Sequence, residues 1–422
     1  MNRCTMGSYV LDEERMARLA RAKQRWLPHG WLVWLTLTAV GVVTSMGSWF
    51  SGDMNAESVK PICNAIQVLV LPGWAVVRFM AHIWHASPLM GAIVANSIGW
   101  GCWWVGALLV LRVRRRVIAR LSERDNQPVN SGRRRLLVDV PLALATVGGA
   151  GAIAEATFIG PWRLTVARYK VPIADLPVCL DGLRIVHVAD THLGPRIPSE
   201  FIGEAVRRAI ALKPDLFLLG GDYIHNGKHF IKPSAALMRP LVETNKPVVG
   251  VLGNHDWYGD GPAMSAALTE HGVRMIDNDR TYLTADRRLT LFPEDAALCI
   301  AGLGDILESV VDVNAALEGV DPKVPRLVLA HNPDTAEISE FKRNPRPARV
   351  DLMVCGHTHG GQVSLPFIGP PVVPSRYGQK YAGGLVKGPA FRVLISRGVG
   401  MSLVPVRFNV PPEVVELTLT RA

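Results

Sequence analysis

The run Val350–Gly361, VDLMVCGHTHGG, joins a short apolar stretch to two histidines that are separated by one residue. A lone His-x-His pair is more often an ordinary polar loop than a metal site. The pair gains meaning if other metal-ligating residues follow apolar stretches elsewhere, because a hydrolytic metal site is assembled from several loops at one edge of a sheet. The rest of the chain therefore decides between a loop and a site.

Four further apolar runs end in the same class of residue. LRIVHVADTHLG predicts a buried strand at Leu183–Val188, and DLFLLGGDY, KPVVGVLGNHDWY and PRLVLAHNPD predict three more. The polar residues that follow the five predicted strands are Asp190, His192, Asp222, Asn254, His255, Asp256, His331, His357 and His359. Any one of them is explained by the preference of such residues for turns. Five strand ends in series instead indicate a set of oxygen and nitrogen ligands.

The segments around these strands contain helix and turn signals. SEFIGEAVRRAIALKPD has the apolar spacing of a helix, and Ser199 is its expected N-cap. Glycines beside the polar residues, such as Gly221, Gly253 and Gly356, permit tight turns and a close approach of backbone to metal or phosphate. Taken singly, each glycine is equally compatible with an ordinary turn.

Charge separates the chain into two parts. Up to Gly160 there are 17 Lys+Arg against 9 Asp+Glu, whereas the remainder holds 29 against 27, so most of the net charge of +10 belongs to the first part. A nucleic-acid-binding protein would carry its basic patch on the folded domain. The distribution argues against nucleic acid and favours basic clusters beside membrane spans.

Uncharged stretches in the first part predict membrane helices. Trp26–Gly52 and Phe79–Leu111 contain no Asp, Glu, Lys or Arg and exceed the roughly 20 residues that cross a bilayer. Pro61–Val77 is shorter, and Val140–Ala154 has a carboxylate close to each end, so these two are weaker candidates. A cleaved signal peptide is disfavoured because a second apolar block follows the first.

We therefore predict a membrane region with about three or four apolar helices over residues 1–160, followed by a folded domain over residues 161–422. Basic clusters precede the first apolar block and lie between the third and the fourth, and such clusters favour the cytoplasm. If Pro61–Val77 does not cross and Leu136–Ile159 does, the folded domain faces away from the cytoplasm. If Leu136–Ile159 does not cross, the domain is cytoplasmic.

Other potential ligands carry no metal signal. The six cysteines are scattered and form no C-x-x-C pair, so they indicate neither a disulfide framework nor a zinc knuckle. His187 lies within a predicted strand and is expected in the core or on the sheet surface. His82 and His85 are expected at a membrane interface.

The motifs D-x-H, G-D, G-N-H-D, a solitary H and G-H-T-H, in this order, resemble those of the calcineurin-like metallophosphoesterases. The longer strings, including GHTHGGQVSLPFIG, look like the membrane-anchored bacterial branch, which includes enzymes similar to UDP-2,3-diacylglucosamine hydrolases of lipid A synthesis. The resemblance covers roughly Leu183–Leu419. It implies an α/β fold, a mixed β-sandwich flanked by helices with two metals at the strand ends, preceded by an α-helical membrane region.

The resemblance also implies a role for each motif residue. The implied ligands are Asp190, His192 and His359 for a first metal, Asn254, His331 and His357 for a second, and Asp222 as the bridge between them. His255 resembles the general acid of the family, with Asp256 expected to orient it, although a purely structural role for His255 is the alternative. These donors suit Mn²⁺, Fe or Zn²⁺ better than Ca²⁺, and we favour manganese.

One departure limits the function that the resemblance implies. Protein Ser/Thr phosphatases of this superfamily carry G-D-x-V-D-R-G, whereas this chain has GGDYIHNG, with His225 in place of the second Asp. A protein phosphatase is therefore disfavoured. The expected function is a membrane-bound phosphohydrolase. The alternative is a non-catalytic membrane sensor, which is disfavoured because degeneration normally removes ligands and all seven positions are filled.

The expected substrate is a phosphorylated compound that is lipid-linked or nucleotide-linked. A cytoplasmic domain would favour UDP-2,3-diacylglucosamine, and an external one would favour envelope phospholipids, undecaprenyl-type phosphates or scavenged phosphodiesters. The apolar segments WFSGDM and SLPFIGPPVVP either receive acyl chains or serve as packing surfaces. We expect a multi-pass protein of the bacterial inner membrane whose catalytic domain is external.

Overall fold

A computed structural model describes residues 112–113, 115–120, 132, 135–342, 349–402 and 404–422. The chain divides into two compact units, Met1–Val147 and Gly148–Ala422. The first three predicted apolar blocks, together with His82, His85 and the WFSGDM segment, lie outside the described residues. The predicted count of membrane helices and the domain boundary near residue 160 remain predictions.

One helix of the described residues is long and apolar enough to cross a membrane, by length and composition alone. It runs over Leu136–Trp162, where the fourth apolar block was predicted, and most of its surface is exposed. Its central α-helix, α1, spans Val140–Ala154, and π-helical turns at Arg135–Asp139 and Glu155–Ile159 flank it. The described side chains of this run form neither the polar face nor the buried stripe of an ordinary surface helix.

Among the described residues after this helix there are thirteen strands and six further α-helices. The strands are β1 Thr165–Ile173, β2 Leu183–Val188, β3 Leu216–Leu219, β4 Val248–Gly250, β5 Arg274–Met275, β6 Arg280–Leu283, β7 Leu289–Thr290, β8 Leu298–Gly302, β9 Arg326–Leu329, β10 Leu352–Cys355, β11 Gly384–Lys387, β12 Arg392–Ile395 and β13 Glu413–Arg421. The helices are α2 Ser199–Ala211, α3 Ile231–Val242, α4 Asn254–Gly259, α5 Gly261–Glu270, α6 Val313–Leu317 and α7 Ser339–Lys342.

The strands form two mixed sheets. The first has the order β1-β13-β2-β3-β4-β5 and the second β11-β12-β10-β9-β8-β6-β7. Strands β2, β3 and β4 run parallel to one another, and so do β8, β9, β10 and β12. The carboxyl ends of parallel neighbours meet at one edge of a sheet, which is where ligand sites of such sheets are built.

Apolar side chains form three layers around the sheets. Ile185 of β2 and Val354 of β10 belong to the core between the sheets, whereas Val186, the next residue of β2, belongs to the core under the helices α2, α3 and α5. This alternation follows from the two-residue period of a strand. The outer face of the second sheet is covered by Val313 of α6 and Phe341 of α7. The predicted mixed sandwich flanked by helices is confirmed.

The local predictions agree with the structure at most positions. Strand β2 has the predicted bounds Leu183–Val188, and each of the other four apolar runs contains a strand. The predicted N-cap is wrong by one residue, because Ser199 is already helical and the extended residue before it, Pro198, takes the N-cap position.

His187 is a core residue, as expected. Its ring is fully buried and lies between two carbonyl oxygens, with Nδ1 3.2 Å from Leu218 O and Nε2 3.3 Å from Cys355 O. Burial lowers the pKa of His187 to about 4, so the ring is neutral at pH 7. The ring therefore joins β2 to β10 of the second sheet, near the carboxyl ends of both strands.

Candidate metal centre

The ends of β2, β3, β9 and β10 bring two groups of potential ligands together. One group consists of Asp190, His192 and His359, and the other of Asp222, His331 and His357; within each group the ligand atoms lie within 4.8 Å of one another. Five of these six side chains are buried, and His357 is half-buried. Residues that are far apart in the sequence thus converge where the sequence predicts a site.

Asp222 lies between the two groups. Its Oδ2 atom is 3.4 Å from His192 Nε2 and 3.3 Å from His331 Nε2. The rings also approach each other closely, with 2.9 Å between His192 Nε2 and His359 Nε2 and 3.2 Å between His331 Nε2 and His357 Nδ1. Ring nitrogens at these distances present lone pairs to the same space, which a cation or a proton must occupy.

Two buried oxygens point to the same conclusion. Asp190 Oδ2 and Asn254 Oδ1 are buried and have no hydrogen-bond partner among the described residues. An unpaired buried acceptor costs about 1–3 kcal/mol, and more for a charged group. Asn254, the first residue of α4, is therefore a fitting donor for a cation beside the two groups. The donors present fit a divalent metal centre.

The backbone is bent sharply at these residues. Five of them have positive φ angles: Asp190 (56°), His192 (49°), Asp222 (55°), His357 (71°) and His359 (51°). Non-glycine residues rarely adopt this left-handed conformation, and such strain concentrates at functional sites. The glycines beside them allow close packing, since a Cβ on Gly356 would lie 2.4 Å from Asp190 Oδ2 and one on Gly253 would lie 2.2 Å from Asp222 Oδ1.

Burial controls the protonation of most of the imidazoles. It lowers the pKa of His357 to about 3 and holds those of His192 and His359 well below the usual range, so these three rings are neutral at pH 7. Neutral rings offer the lone pairs that metal binding requires. Burial would also lower the pKa of His331, but Asp222 overrides it and raises this pKa well above the usual range.

The two carboxylates differ from each other. Burial raises the pKa of Asp190 to about 7. Burial would raise the pKa of Asp222 too, but His331, followed by His255 and His192, lowers it well below the usual range. Asp222 is therefore ionised at pH 7, whereas Asp190 becomes fully ionised only when a positive charge is added to the site.

Backbone carbonyls hold the outward-facing ring nitrogens of His331 and His357. His331 Nδ1 lies 2.7 Å from Gly220 O, and the His357 ring donates to Pro374 O. Metal-binding histidines commonly donate their second ring N–H in this way, which fixes the tautomer. His359 differs, because its Nδ1 lies 3.2 Å from Nη2 of the fully buried Arg407.

His255 lies beside the two groups on α4. Its Nδ1 is 2.5 Å from His225 O and its Nε2 is 3.3 Å from Ser402 Oγ. The ring stacks on His225 at a centroid distance of 5.0 Å and lies 4.7 Å from His192. A carbonyl at Nδ1 fixes the proton there, so Nε2 faces the site.

The expected role of Asp256 is wrong. Its buried carboxylate accepts the backbone N–H groups of Asp222, Tyr223, Ile224 and Gly253 instead of contacting the His255 ring. Successive residues of a helix point in different directions, so adjacent side chains do not face each other. The carbonyl of His225 orients the ring, and Asp256 holds the loop that carries Asp222.

Three residues near the site were not predicted. His225 groups with His192 and His255 within 4.8 Å, and in the sequence it was noted only as a departure from a phosphatase motif. Ser402 and Arg407 reach the site from the segment before β13. That segment contains no ligand motif, so no local signal identifies them.

Comparisons with known proteins agree with this geometry. A family model described as calcineurin-like phosphoesterase matches residues 183–361. Phosphodiesterase YaeI of Escherichia coli K12 is 32% identical over 292 residues, which cover 68% of this chain and 98% of that protein. The chain belongs to the calcineurin-like phosphoesterase family. The resemblance stated from the motifs is confirmed, and the protein is a metal-dependent phosphoesterase.

Two further relatives are similar to this chain. The uncharacterized metallophosphoesterase YkuE of Bacillus subtilis 168 is 29% identical over 281 residues, covering 66% of this chain and 93% of that protein. UDP-2,3-diacylglucosamine pyrophosphatase LpxG of Chlamydia muridarum is 28% identical over 287 residues, covering 56% and 83%. The family uses a dinuclear metal centre, and the two His/Asp groups could each hold an ion.

Proposed function

We propose that this phosphoesterase is a membrane-bound enzyme that hydrolyses a phosphoester or pyrophosphate bond in a lipid-linked or nucleotide-linked substrate. The observation that carries the proposal is the position of Asp222 Oδ2, within 3.4 Å of one histidine from each of the two groups. One carboxylate oxygen in reach of both groups suits a bridge between two cations.

The proposed ligands are Asp190, His192 and His359 for one ion, Asn254, His331 and His357 for the other, and Asp222 for both. Mixed carboxylate, amide and imidazole donors favour Mn²⁺, with Fe or Zn²⁺ as alternatives. Two such ions, held by these residues, would supply a nucleophilic water at neutral pH and positive charge for the phosphoryl oxygens. The side chains that would hold these ions are mostly buried, which restricts their movement.

His255 is the proposed general acid. Its Nδ1–H is held by His225 O at 2.5 Å, so the ring delivers a proton only from Nε2. In the imidazolium form, Nε2 gives its proton to the leaving alkoxide, and the ring becomes neutral. Ser402 Oγ, 3.3 Å from Nε2, limits rotation of the ring.

The substrate proposal combines the site with the apolar helix Leu136–Trp162. A membrane span beside the site favours an amphiphile, and the relative LpxG is named for a substrate of this class, UDP-2,3-diacylglucosamine. We propose that the protein resides in a bacterial inner membrane with its catalytic domain outside the cytoplasm. Reporter fusions after Ile159 test the side. A cytoplasmic reporter would favour the nucleotide-linked substrate, and an external one would favour envelope lipids or phosphodiesters.

Replacing Asp222 tests the metal assignment. We expect Asp222→Ala to abolish hydrolysis of a chromogenic phosphodiester and to lower the metal content, because no neighbouring carboxylate can serve both ions. Asp286→Ala, which removes an exposed carboxylate, is the matched control and should leave both unchanged. An Asp222→Ala protein with normal metal content would refute the bridge. Wild-type protein that holds two ions without turnover of any phosphoester would support a sensor.

A further inference from the structure

An apolar loop begins at Val363, shortly after the second histidine of the His-Thr-His motif. The segment Val363–Pro374 contains no charged residue. The side chains of Phe367, Ile368 and Val372 are 110%, 64% and 65% exposed. Single exposed apolar side chains are common, but a contiguous apolar projection marks an interaction surface.

The tip of this loop is held in a defined shape. Leu365 and Gly369 exchange two backbone hydrogen bonds, of 3.0 and 2.9 Å, and close a turn around Phe367. Phe367 has a φ angle of +65°, which is unfavourable for a bulky side chain. Gln379 Nε2 donates to the carbonyls of Ile368 and Pro370, so the turn is held from the side. The turn therefore holds the phenyl ring of Phe367 outward, where it is fully exposed among the described residues.

The root of the loop is joined to the end of the apolar helix. Ser364 N–H donates to Phe408 O at 2.9 Å, and the neighbouring Arg407 N–H donates to Ala156 O at 2.8 Å. The contact with the helix is close, since a Cβ on Gly160 would lie 2.0 Å from Arg407 O. The tip, three residues beyond Ser364, can extend at most about 10 Å from this root.

The end of the helix has the residues of a membrane interface. Glu155 follows the uncharged α1, and Trp162, 41% exposed, ends the helical run. Charged residues and tryptophan are typical of the headgroup level. If the helix crosses a membrane, Ala156 and the loop root lie close to this level. Phe, Leu and Ile side chains are the ones that enter the boundary between headgroups and acyl chains.

We propose that the loop tip Pro366–Ile368 inserts into the headgroup–acyl boundary of the bilayer crossed by the Leu136–Trp162 helix. The inference rests on the proposed membrane-bound function and deepens it. The other end of the loop, Pro374, accepts the hydrogen bond of the His357 ring. An inserted tip therefore places the site beside the lipid surface, where an amphiphilic phosphoester reaches it without leaving the bilayer.

A tryptophan at the tip reports the insertion without requiring catalysis. The full chain carrying Phe367→Trp is reconstituted in phosphatidylcholine vesicles, with or without bromine on the acyl chains. Because the chain already holds 11 tryptophans, the tryptophan fluorescence of the variant is compared with that of wild type. Phe292→Trp is the matched control, since Phe292 is 63% exposed and follows β7 at the far edge of the second sheet. Normal metal content shows that each variant is folded.

The added emission of Phe367→Trp should be blue-shifted and should lose most of its intensity in brominated vesicles, whereas that of Phe292→Trp should change little. Red-shifted, unquenched emission at position 367 would place the tip in water and overturn the inference. Blue-shifted but unquenched emission would place it against protein, as in a second copy of the chain, and would overturn it as well. The experiment measures no turnover, so its result can be interpreted even if the proposed hydrolysis is wrong.

Discussion

Replacing Asp256 by asparagine tests whether the carboxylate behind the site holds the loop of Asp222. Oδ2 of Asp256 accepts the N–H of Asp222 at 2.8 Å and that of Gly253 at 2.9 Å, and Oδ1 accepts those of Tyr223 at 2.9 Å and Ile224 at 3.3 Å. Asparagine keeps one oxygen and turns an NH₂ group toward the other two donors. The substitution changes hydrogen bonding while preserving the size of the side chain.

The structure sets the size of the effect. Two buried N–H groups lose their acceptor, and each such group costs about 1–3 kcal/mol, so the free energy of unfolding should fall by about 2–6 kcal/mol. For a domain of this size, 1 kcal/mol corresponds to about 2–4 °C in melting temperature, which gives a decrease of roughly 4–24 °C. Since Asp222 itself has a strained φ of 55°, we also expect Asp256→Asn to bind less metal.

Thermal melting of the detergent-solubilised protein measures this effect. The protein is stripped with a chelator before the measurement, because a bound ion would add its own stabilisation to the native state. Asp279→Asn is the control, since Asp279 pairs with Arg274 at 2.7 Å on the surface and such pairs contribute about 0–1 kcal/mol. An Asp256→Asn protein that has the same melting temperature as the control and retains full metal content would refute the reasoning.

Two further predictions concern the reacting groups. His255→Ala should keep near-normal metal content and slow hydrolysis by roughly 10² to 10⁴ fold for a basic alkoxide leaving group, but much less for nitrophenolate; equal losses on both substrates would instead indicate a positioning role. Metal binding to the stripped protein at pH 7 should release protons, because the pKa of Asp190 is about 7 and that of His331 is raised. Protons and metal then compete for the same side chains, so metal affinity should fall as the pH drops through 7. Calorimetry in two buffers of different ionisation enthalpy detects the release, and identical heats would contradict it.

The fold could be predicted from the sequence where the information is local. The run LRIVHV is apolar except for Arg184 and His187, as expected for a strand largely buried on both faces, and the structure places β2 on it residue for residue, with Arg184 as its exposed residue. The identity of the polar residues after each strand predicted which side chains would meet. Strand β13 could not be predicted to lie between β1 and β2, since this pairing joins residues about 240 positions apart.

The supporting contacts of the site could not be predicted because they are not local. Asp256 is adjacent to His255 in the sequence, yet the two side chains leave α4 in different directions and contact different segments. Arg407 stands in the unremarkable string VPVRFNV, and its buried guanidinium donates to the carbonyls of Arg397 and Gly400 near His359. A buried cation held by carbonyls leaves no pattern that charge or periodicity reveals.

The composition of the ligand set bears on the substrate. In the proposed assignment only Asp190 and Asp222 bring charge to the loaded centre, because burial keeps His192, His357 and His359 neutral and His331 must lose its proton to bind an ion. Two divalent ions would bring four positive charges against these two carboxylates, so the loaded centre stays positive. Bound ions are the largest local charges in such a site, and a positive centre within low-dielectric walls attracts anions. Imidazole and amide donors are neutral, so they would hold the metals without cancelling the positive charge that attracts a phosphate. Carboxylates at the same positions would cancel that charge.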